Sequence, residues 1–137
     1  MARPPPGRFR VVKTDAEWKR ILTPFQYQVL RQSATERPYS SPLNDEHRMG
    51  VFRCAGCDWP LYSSKDKFDS HTGWPSFTRP LNAQAVGYTS DSSLLMQRTA
   101  VHCANCGGHQ GHVFDDGPPP TGKRFCMNGV AMKFQPM

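Results

Sequence analysis

Two cysteine pairs with the same spacing constrain this chain most. Cys-Ala-Gly-Cys occupies residues 54–57, and Cys-Ala-Asn-Cys occupies residues 103–106. Two thiolates in one Cys-x-x-Cys turn can bind a single metal ion, and two such turns complete the tetrahedral sulfur shell of a structural zinc. The spacing therefore predicts one structural Zn²⁺, with four ligands: Cys54, Cys57, Cys103 and Cys106. Ordinary buried cysteines, a redox Cys-x-x-Cys motif and an iron–sulfur cluster are the alternatives.

The fifth cysteine is left over by this metal count. Cys126 lies in Arg-Phe-Cys-Met-Asn at residues 124–128. If this segment is a strand that continues one residue further, Arg124, Cys126 and Asn128 share one face. A thiol attacks as the thiolate, and a nearby cation favours that form. Cys126 is therefore a candidate nucleophile, and a cysteine packed in the core is the alternative.

Two further segments contain candidate site residues. His109 and His112 follow the second cysteine pair, and histidine can carry or donate a proton near neutral pH. Surface, core and metal-ligand positions are the alternatives, and a ligand role is disfavoured because four cysteines already fill a zinc shell. Trp74 lies between Gly73 and Pro75, where a rigid turn can present the indole as one wall of an apolar pocket. A core position is the alternative for this tryptophan.

The local patterns predict a small, mainly antiparallel β domain with two N-terminal helices. Thirteen prolines and eleven glycines in 137 residues favour short strands and turns over a helical bundle. Capping boxes at Thr14 and Thr23 predict helices that end at Leu22 and at about Arg31, and Phe25 and Val29 are expected to share a buried stripe. Strands are predicted over residues 50–53, 84–89, 97–102, 112–114, 124–127 and 130–134. Residues 1–10 are expected to form a mobile tail, and residues 11–137 a single domain.

Charge and hydropathy disfavour several classes of partner. The formal net charge is +6, but the basic residues are scattered, which predicts a solvated surface and no nucleic-acid partner. No segment approaches the roughly 20 apolar residues of a membrane span, and the first residues lack the apolar region of a secretory signal. An odd cysteine beside two Cys-x-x-Cys pairs indicates reduced metal ligands, so a cytoplasmic protein is expected.

In chain order, four motifs closely resemble those of the B-type methionine sulfoxide reductases. They are the first Cys-x-x-Cys pair, Gly-Trp-Pro-Ser-Phe at residues 73–77, Cys-x-x-Cys-Gly-Gly-His-x-Gly-His-Val-Phe at residues 103–114, and Arg-Phe-Cys-x-Asn at residues 124–128. The resemblance covers residues 14–135. It implies two antiparallel sheets with short N-terminal helices, and a four-cysteine zinc remote from the active site. It also implies reduction of the R epimer of methionine sulfoxide, free or in oxidised proteins. The protein is expected to be a monomer.

The resemblance assigns a role to each matching residue. The residues implied to be catalytic are Cys126 as the nucleophile, and His109, His112 and Asn128 around the sulfoxide and bound water. The residues implied to bind substrate are Trp74 against its methyl group, Arg124 beside the nucleophile, and Phe114. The implied zinc ligands are the same four cysteines that the spacing indicates.

The chain departs from the family pattern in two places. Many members carry a second, recycling cysteine, whereas here Cys126 stands alone. Regeneration is therefore expected from thioredoxin, glutaredoxin or another external thiol. His71 stands where the family usually has glycine, and either a polar contact near the site or a solvent-facing position fits it. A zinc-ribbon-like binding module and a zinc-stabilised structural domain are alternative functions, but neither explains Trp74, the histidines or Cys126.

Overall fold

Two short helices open the part of the chain described by the computed structural model, which covers residues 9–91 and 97–137. Helix α1 spans Asp15–Ile21 and helix α2 spans Pro24–Gln32. Both predicted capping boxes are confirmed, because each threonine hydroxyl accepts an N3 backbone N–H and the N3 side chain accepts the threonine N–H. The helix ends differ by one residue from the prediction.

The predicted buried stripe on α2 is right for Val29 and wrong for Phe25. Val29 is fully buried, but Phe25 is 41% exposed. The buried residues of α2 are Tyr27, Val29 and Leu30, and at 100° per residue their common direction lies near Leu30. Phe25 lies about 135° from that direction, beyond Val29 and outside the buried arc, so a four-residue spacing from Val29 does not bring it into the core.

The described residues form nine strands. They are β1 (Gly50–Cys54), β2 (Pro60–Ser63), β3 (Lys67–Phe68), β4 (Ser76–Phe77), β5 (Val86–Asp91), β6 (Arg98–Cys103), β7 (His109–Phe114), β8 (Arg124–Met127) and β9 (Met132–Pro136). They form two antiparallel sheets, a three-stranded one in the order β2-β1-β9 and a six-stranded one in the order β3-β4-β8-β7-β6-β5. The predicted fold class is confirmed.

Each of the six predicted strands has a counterpart in the structure. The boundaries of β8 are as predicted, and β1, β5, β6 and β7 are found with shifted ends. The short strands β2, β3 and β4 were not predicted, because two to four residues carry too little periodicity. The last strand begins at Met132 and not at Val130, because Gly129–Ala131 forms a 3₁₀ turn before it.

The core lies between the two sheets. Phe52 and Tyr62 come from the smaller sheet, and Phe77 and Met127 come from the larger one; all four are fully buried. Tyr62 stacks on Phe77 with ring centroids 4.3 Å apart, and its hydroxyl lies 3.1 Å from the Met127 sulfur. Since side chains alternate along a strand, burial of Phe125 and Met127 turns Arg124 and Cys126 to the opposite face of β8.

The N-terminal tail prediction falls largely on residues 1–8, which lie outside the described residues. Phe9 and Arg10, which belong to the same predicted tail, contact the body of the protein. The Phe9 ring meets His102 edge-on at 5.7 Å, and the Arg10 guanidinium lies 5.6 Å from the Trp59 ring centroid. Across residues 9–91 and 97–137, the helices are too short to span a bilayer.

Candidate active site and metal centre

The four predicted metal ligands come together at one place. The Sγ atoms of Cys54, Cys57, Cys103 and Cys106 all lie within 4.8 Å of one another. The Cys54–Cys106 and Cys57–Cys103 sulfur distances are 3.7 and 3.6 Å. Four sulfurs around a tetrahedral zinc, each at about 2.3 Å from the ion, are separated by about 3.8 Å. The cluster therefore has the size and the donor set of a tetrahedral metal site.

N–H groups surround these sulfurs. The backbone N–H groups of Gly56, Asn105 and Gly108 each point at a cysteine sulfur at 3.4 Å. The side-chain amides of Asn105 and Gln110 approach the sulfurs of Cys57 and Cys54 at 3.4 and 3.5 Å. Such donors stabilise thiolates and orient them on an ion, so the site can hold a metal ion.

Cys126 lies in the middle of the six-stranded sheet and is not part of this cluster. It pairs with Ser76 of β4 on one side and with His112 of β7 on the other. Directly paired residues project from the same face of a sheet, so His112 lies beside the thiol. The next pair on the same face is Phe114 with Arg124. One face of β7 and β8 thus carries four predicted site residues.

Two opposing effects act on the Cys126 thiol. Partial burial raises its pKa, because the thiolate loses hydration, and this is the larger effect. The Arg124 cation and hydrogen bonds from Thr72 and Arg124 lower the pKa of the same thiol. The prediction that Arg124 favours the thiolate is therefore consistent with the structure, but burial outweighs it.

A β-bulge brings the two histidines together. Val101 pairs with Gly111, but the next residue of β6, His102, pairs with His109, which leaves Gln110 as an extra residue in β7. In a regular strand, residues three apart face opposite sides, and one inserted residue reverses that relation. The rings of His109 and His112 accordingly meet edge-on, with centroids 5.4 Å apart.

The two histidines differ in their environment. The Nε2 atom of His112 lies 2.9 Å from the Asp91 carboxylate, which raises the pKa of His112 against the larger, lowering effect of burial. His109 is 7% exposed, and burial followed by His112 lowers its pKa to about 4, so it is neutral at physiological pH. The Nε2 of His109 has no hydrogen-bond partner within the described residues. His112 is thus the histidine with a carboxylate to stabilise a proton.

Trp74 is half-buried and firmly held. Its indole N–H donates to the Glu36 carbonyl at 3.1 Å. The preceding Gly73 has a φ of 94°, and a Cβ there would lie 2.6 Å from the Pro38 Cβ. Only glycine fits this turn without strain. The prediction of an indole held in a rigid turn is confirmed.

Asn128 and Arg124 have extensive partners of their own. The Asn128 side chain accepts a hydrogen bond from the Glu36 N–H at 2.9 Å and donates one to the Gln110 carbonyl at 3.0 Å. Its amide group therefore connects the segment of Glu36 to β7. Arg124 donates two hydrogen bonds to Asp116, at 2.9 and 3.1 Å, and its guanidinium lies 4.5 Å from the Phe114 ring centroid. Phe114 therefore packs against Arg124.

Hydroxyl groups near Cys126 were missed from the sequence. Thr72 bonds Ser70 at 2.7 Å, and Ser70 bonds Ser76 at 2.8 Å, which forms a chain of hydroxyls beside the thiol. Asp91 and Glu36 were missed as well, and no local motif marks either. His71 turns outward, with an 83% exposed side chain, which agrees with the solvent-facing alternative.

A four-cysteine cluster that could hold a metal ion, and a separate cysteine that shares a sheet face with a carboxylate-bonded histidine, together favour an oxidoreductase with a β fold. Residues 22–136 match the SelR domain. The chain is 52% identical over 128 residues to the peptide methionine sulfoxide reductase MsrB of Agrobacterium fabrum, and the aligned region covers 93% of this chain and 95% of that relative. It is 51% identical over 131 residues to that of Leifsonia xyli, covering 95% and 94%. For the MsrB of Methanosarcina barkeri, the identity is 50% over 125 residues, covering 91% and 88%.

The chain belongs to the SelR-domain family, which contains these MsrB enzymes. The family resemblance drawn from the motifs is confirmed, and an enzyme is favoured over the zinc-ribbon-like binding module.

Proposed function

We propose that this protein reduces the R epimer of methionine sulfoxide, in oxidised proteins or free, to methionine. The observation that carries the proposal is the pairing of Cys126 with His112, whose imidazole is bonded to Asp91, on one face of β7 and β8. A nucleophile and a proton-carrying group side by side are what attack on a sulfoxide requires.

The oxygen passes from one sulfur to the other. The Cys126 thiolate attacks the sulfoxide sulfur, and proton transfer turns the sulfoxide oxygen into a better leaving group. Overall, the thiol and the sulfoxide become a Cys126 sulfenic acid and methionine, so the cysteine sulfur is oxidised by two electrons and the substrate sulfur is reduced by two. The raised pKa of Cys126 fits a thiol that is ionised only when a base or the substrate assists.

The remaining site residues have distinct proposed roles. His112 donates the proton, because Asp91 stabilises its protonated form, whereas the neutral His109 offers its free Nε2 to a bound water. Trp74 faces the substrate methyl group, and Arg124 and Phe114 border the substrate. Asn128 is proposed to lie near the sulfoxide oxygen and its bound water, and its hydrogen bonds to Glu36 and Gln110 fix its position.

An external thiol restores the enzyme. Two thiols from thioredoxin, glutaredoxin or a small-molecule reductant convert the sulfenic acid to thiol and water and leave as a disulfide. We propose that the four clustered cysteines bind one structural Zn²⁺, which would leave none of them free to form a disulfide with Cys126 and so supports this route. We further propose that residues 11–137 act as one monomeric domain in the cytoplasm, where such reductants are found.

The test uses the zinc-loaded protein, dabsylated methionine-R-sulfoxide and dithiothreitol. Cys126→Ser is expected to abolish turnover while the zinc content and circular dichroism spectrum stay unchanged. The S epimer is the control substrate and is expected not to react. Unchanged turnover in the serine variant would remove Cys126 from the chemistry. Mass spectrometry after one equivalent of substrate should find one added oxygen on Cys126 and no disulfide.

A further inference from the structure

A buried carboxyl group that the proposed chemistry does not use lies behind the site. Glu36, in the connection between α2 and β1, is 2% exposed. Its Oε1 accepts the Val130 backbone N–H at 2.9 Å, while its Oε2 has no hydrogen-bond partner within the described residues. A buried carboxyl group is unfavourable unless it is hydrogen-bonded, so its presence calls for a role beyond filling space.

The main chain of the same residue holds two of the predicted site residues. The Glu36 N–H donates to Oδ1 of Asn128 at 2.9 Å, and the Glu36 carbonyl accepts the Trp74 indole N–H at 3.1 Å. These partners lie 92 and 38 residues away in the chain and belong to different loops of the larger sheet. One residue therefore fixes the distance between the indole and the amide.

The side chain of Glu36 acts on the turn that ends the strand of Cys126. Val130 belongs to the 3₁₀ turn Gly129–Ala131, which begins two residues after β8. Any Cβ at Gly129 would lie 1.9 Å from the Ser41 hydroxyl and 3.5 Å from Oε2 of Glu36, so this turn packs tightly against the connection. The hydrogen bond from the Val130 N–H to Glu36 adds a polar contact between this turn and the connection from α2 to β1.

The carboxyl group also lies within electrostatic range of the nucleophile. Its charge raises the pKa of Cys126, and burial raises the pKa of Glu36 itself against the lowering effect of the Val130 and Gly129 N–H groups. Within residues 9–91 and 97–137, other charged or titratable groups on the same sheet face as Cys126 include Arg124 on its own strand and His112 on β7. Arg124 acts in the opposite sense to Glu36.

We propose that Glu36 is a positioning residue of the reductase site. Its main chain sets Trp74 and Asn128 relative to each other, and its carboxyl group holds the turn after Cys126 through the hydrogen bond from the Val130 N–H, which we call the latch. This inference rests on the proposed function. The latch requires an acceptor at Oε1, which glutamine preserves and alanine removes. The charge, by contrast, is removed by both substitutions.

Steady-state kinetics with dabsylated methionine-R-sulfoxide test the latch in the zinc-loaded full chain. Glu36→Ala is expected to raise KM about fivefold, the change that corresponds to one lost hydrogen bond, with a smaller fall in kcat. Glu36→Gln is expected to keep KM within about twofold of the wild type, since one hydrogen bond to Val130 is retained. Leu61→Ala, a cavity variant in β2 at the edge of the smaller sheet, is the control for a general loss of stability.

A second readout does not depend on turnover. The rate at which iodoacetamide alkylates Cys126, followed by mass spectrometry against pH, reports the ionisation of the thiol. Glu36→Gln is expected to shift this profile to lower pH because a nearby negative charge is lost, and Leu61→Ala is expected to leave it unchanged.

Three results would overturn the proposal. They are a wild-type KM in Glu36→Ala, an equal rise of KM in Leu61→Ala, and an unshifted alkylation profile in Glu36→Gln. Failure of the proposed function looks different, because the wild type itself would then not reduce the sulfoxide. In that case the alkylation profile would still report whether Glu36 acts on Cys126.

Discussion

Replacing His71 with glycine is expected to stabilise the protein. His71 has a φ of 59°, in the left-handed region, which costs a residue with a Cβ about 1–2 kcal/mol. Glycine removes this strain but adds about 0.5–1 kcal/mol of backbone entropy to the unfolded state. The His71–Asp69 ion pair, at 3.5 Å between side chains that are 83% and 71% exposed, contributes little. The net gain should be about 0.5–1 kcal/mol in the free energy of unfolding.

The local hydrogen bonds should survive this substitution because they involve the main chain of His71. Its N–H donates to Asp69 at 2.9 Å, and its carbonyl accepts the Tyr39 hydroxyl at 3.1 Å. The turn before Trp74 should therefore keep its shape. Reductase activity should be unchanged, because the His71 side chain faces solvent.

Urea unfolding followed by circular dichroism at pH 7.5 measures the free energy of unfolding. Thermal unfolding of the same variants should show a Tm that is higher by about 2–4 °C. His71→Ala is the matched control, since alanine loses the same side chain but keeps a Cβ at positive φ, and it should not stabilise. Ser33→Gly, at the left-handed C-cap of α2 with a φ of 56°, should stabilise in the same way as His71→Gly. If His71→Gly is no more stable than His71→Ala, backbone strain does not explain this position.

Three other predictions concern the metal, the core and pH. Cys103→Ser should lose the metal ion, measured by inductively coupled plasma mass spectrometry, and lower the free energy of unfolding by several kcal/mol, as for other structural zinc sites in small domains. Leu61→Ala, at a fully buried position, should cost about 2–5 kcal/mol in urea unfolding with the metal retained. The lowered pKa of His109, about 4, means that the unfolded state binds a proton first on acidification. Stability should therefore fall between pH 6.5 and pH 4 by roughly 3 kcal/mol from this group, and His109→Gln should make that fall shallower.

The sequence predicts the reacting groups well because their identity is encoded locally. Two Cys-x-x-Cys turns specify four sulfurs whatever the intervening chain does, and the structure brings those sulfurs within 4.8 Å. The segment around Cys126 likewise specifies its own two faces, since burial of Phe125 and Met127 turns the thiol outward. Neither prediction needs knowledge of distant contacts.

The groups that support the site were missed because they act across long separations. Glu36 reaches Val130 across 94 residues, and Asp91 reaches His112 across 21. Nothing next to either carboxylate in sequence marks it as part of a site. The error at Phe25 has the same origin, since the buried direction of α2 is set by the sheet on which the helix packs and not by the helix alone.

The bulge in β7 shows how local identity and distant geometry combine. A regular strand would place His109 and His112 on opposite faces, and the extra residue Gln110 brings them to one side. The Gln110 side chain approaches the Cys54 sulfur at 3.5 Å, while its carbonyl accepts hydrogen bonds from the backbone and side chain of Asn128. The bulge thus joins the cysteine cluster to the loop after the nucleophile. Loss of the metal should disturb the positions of Asn128 and the two histidines even though none of them is a ligand.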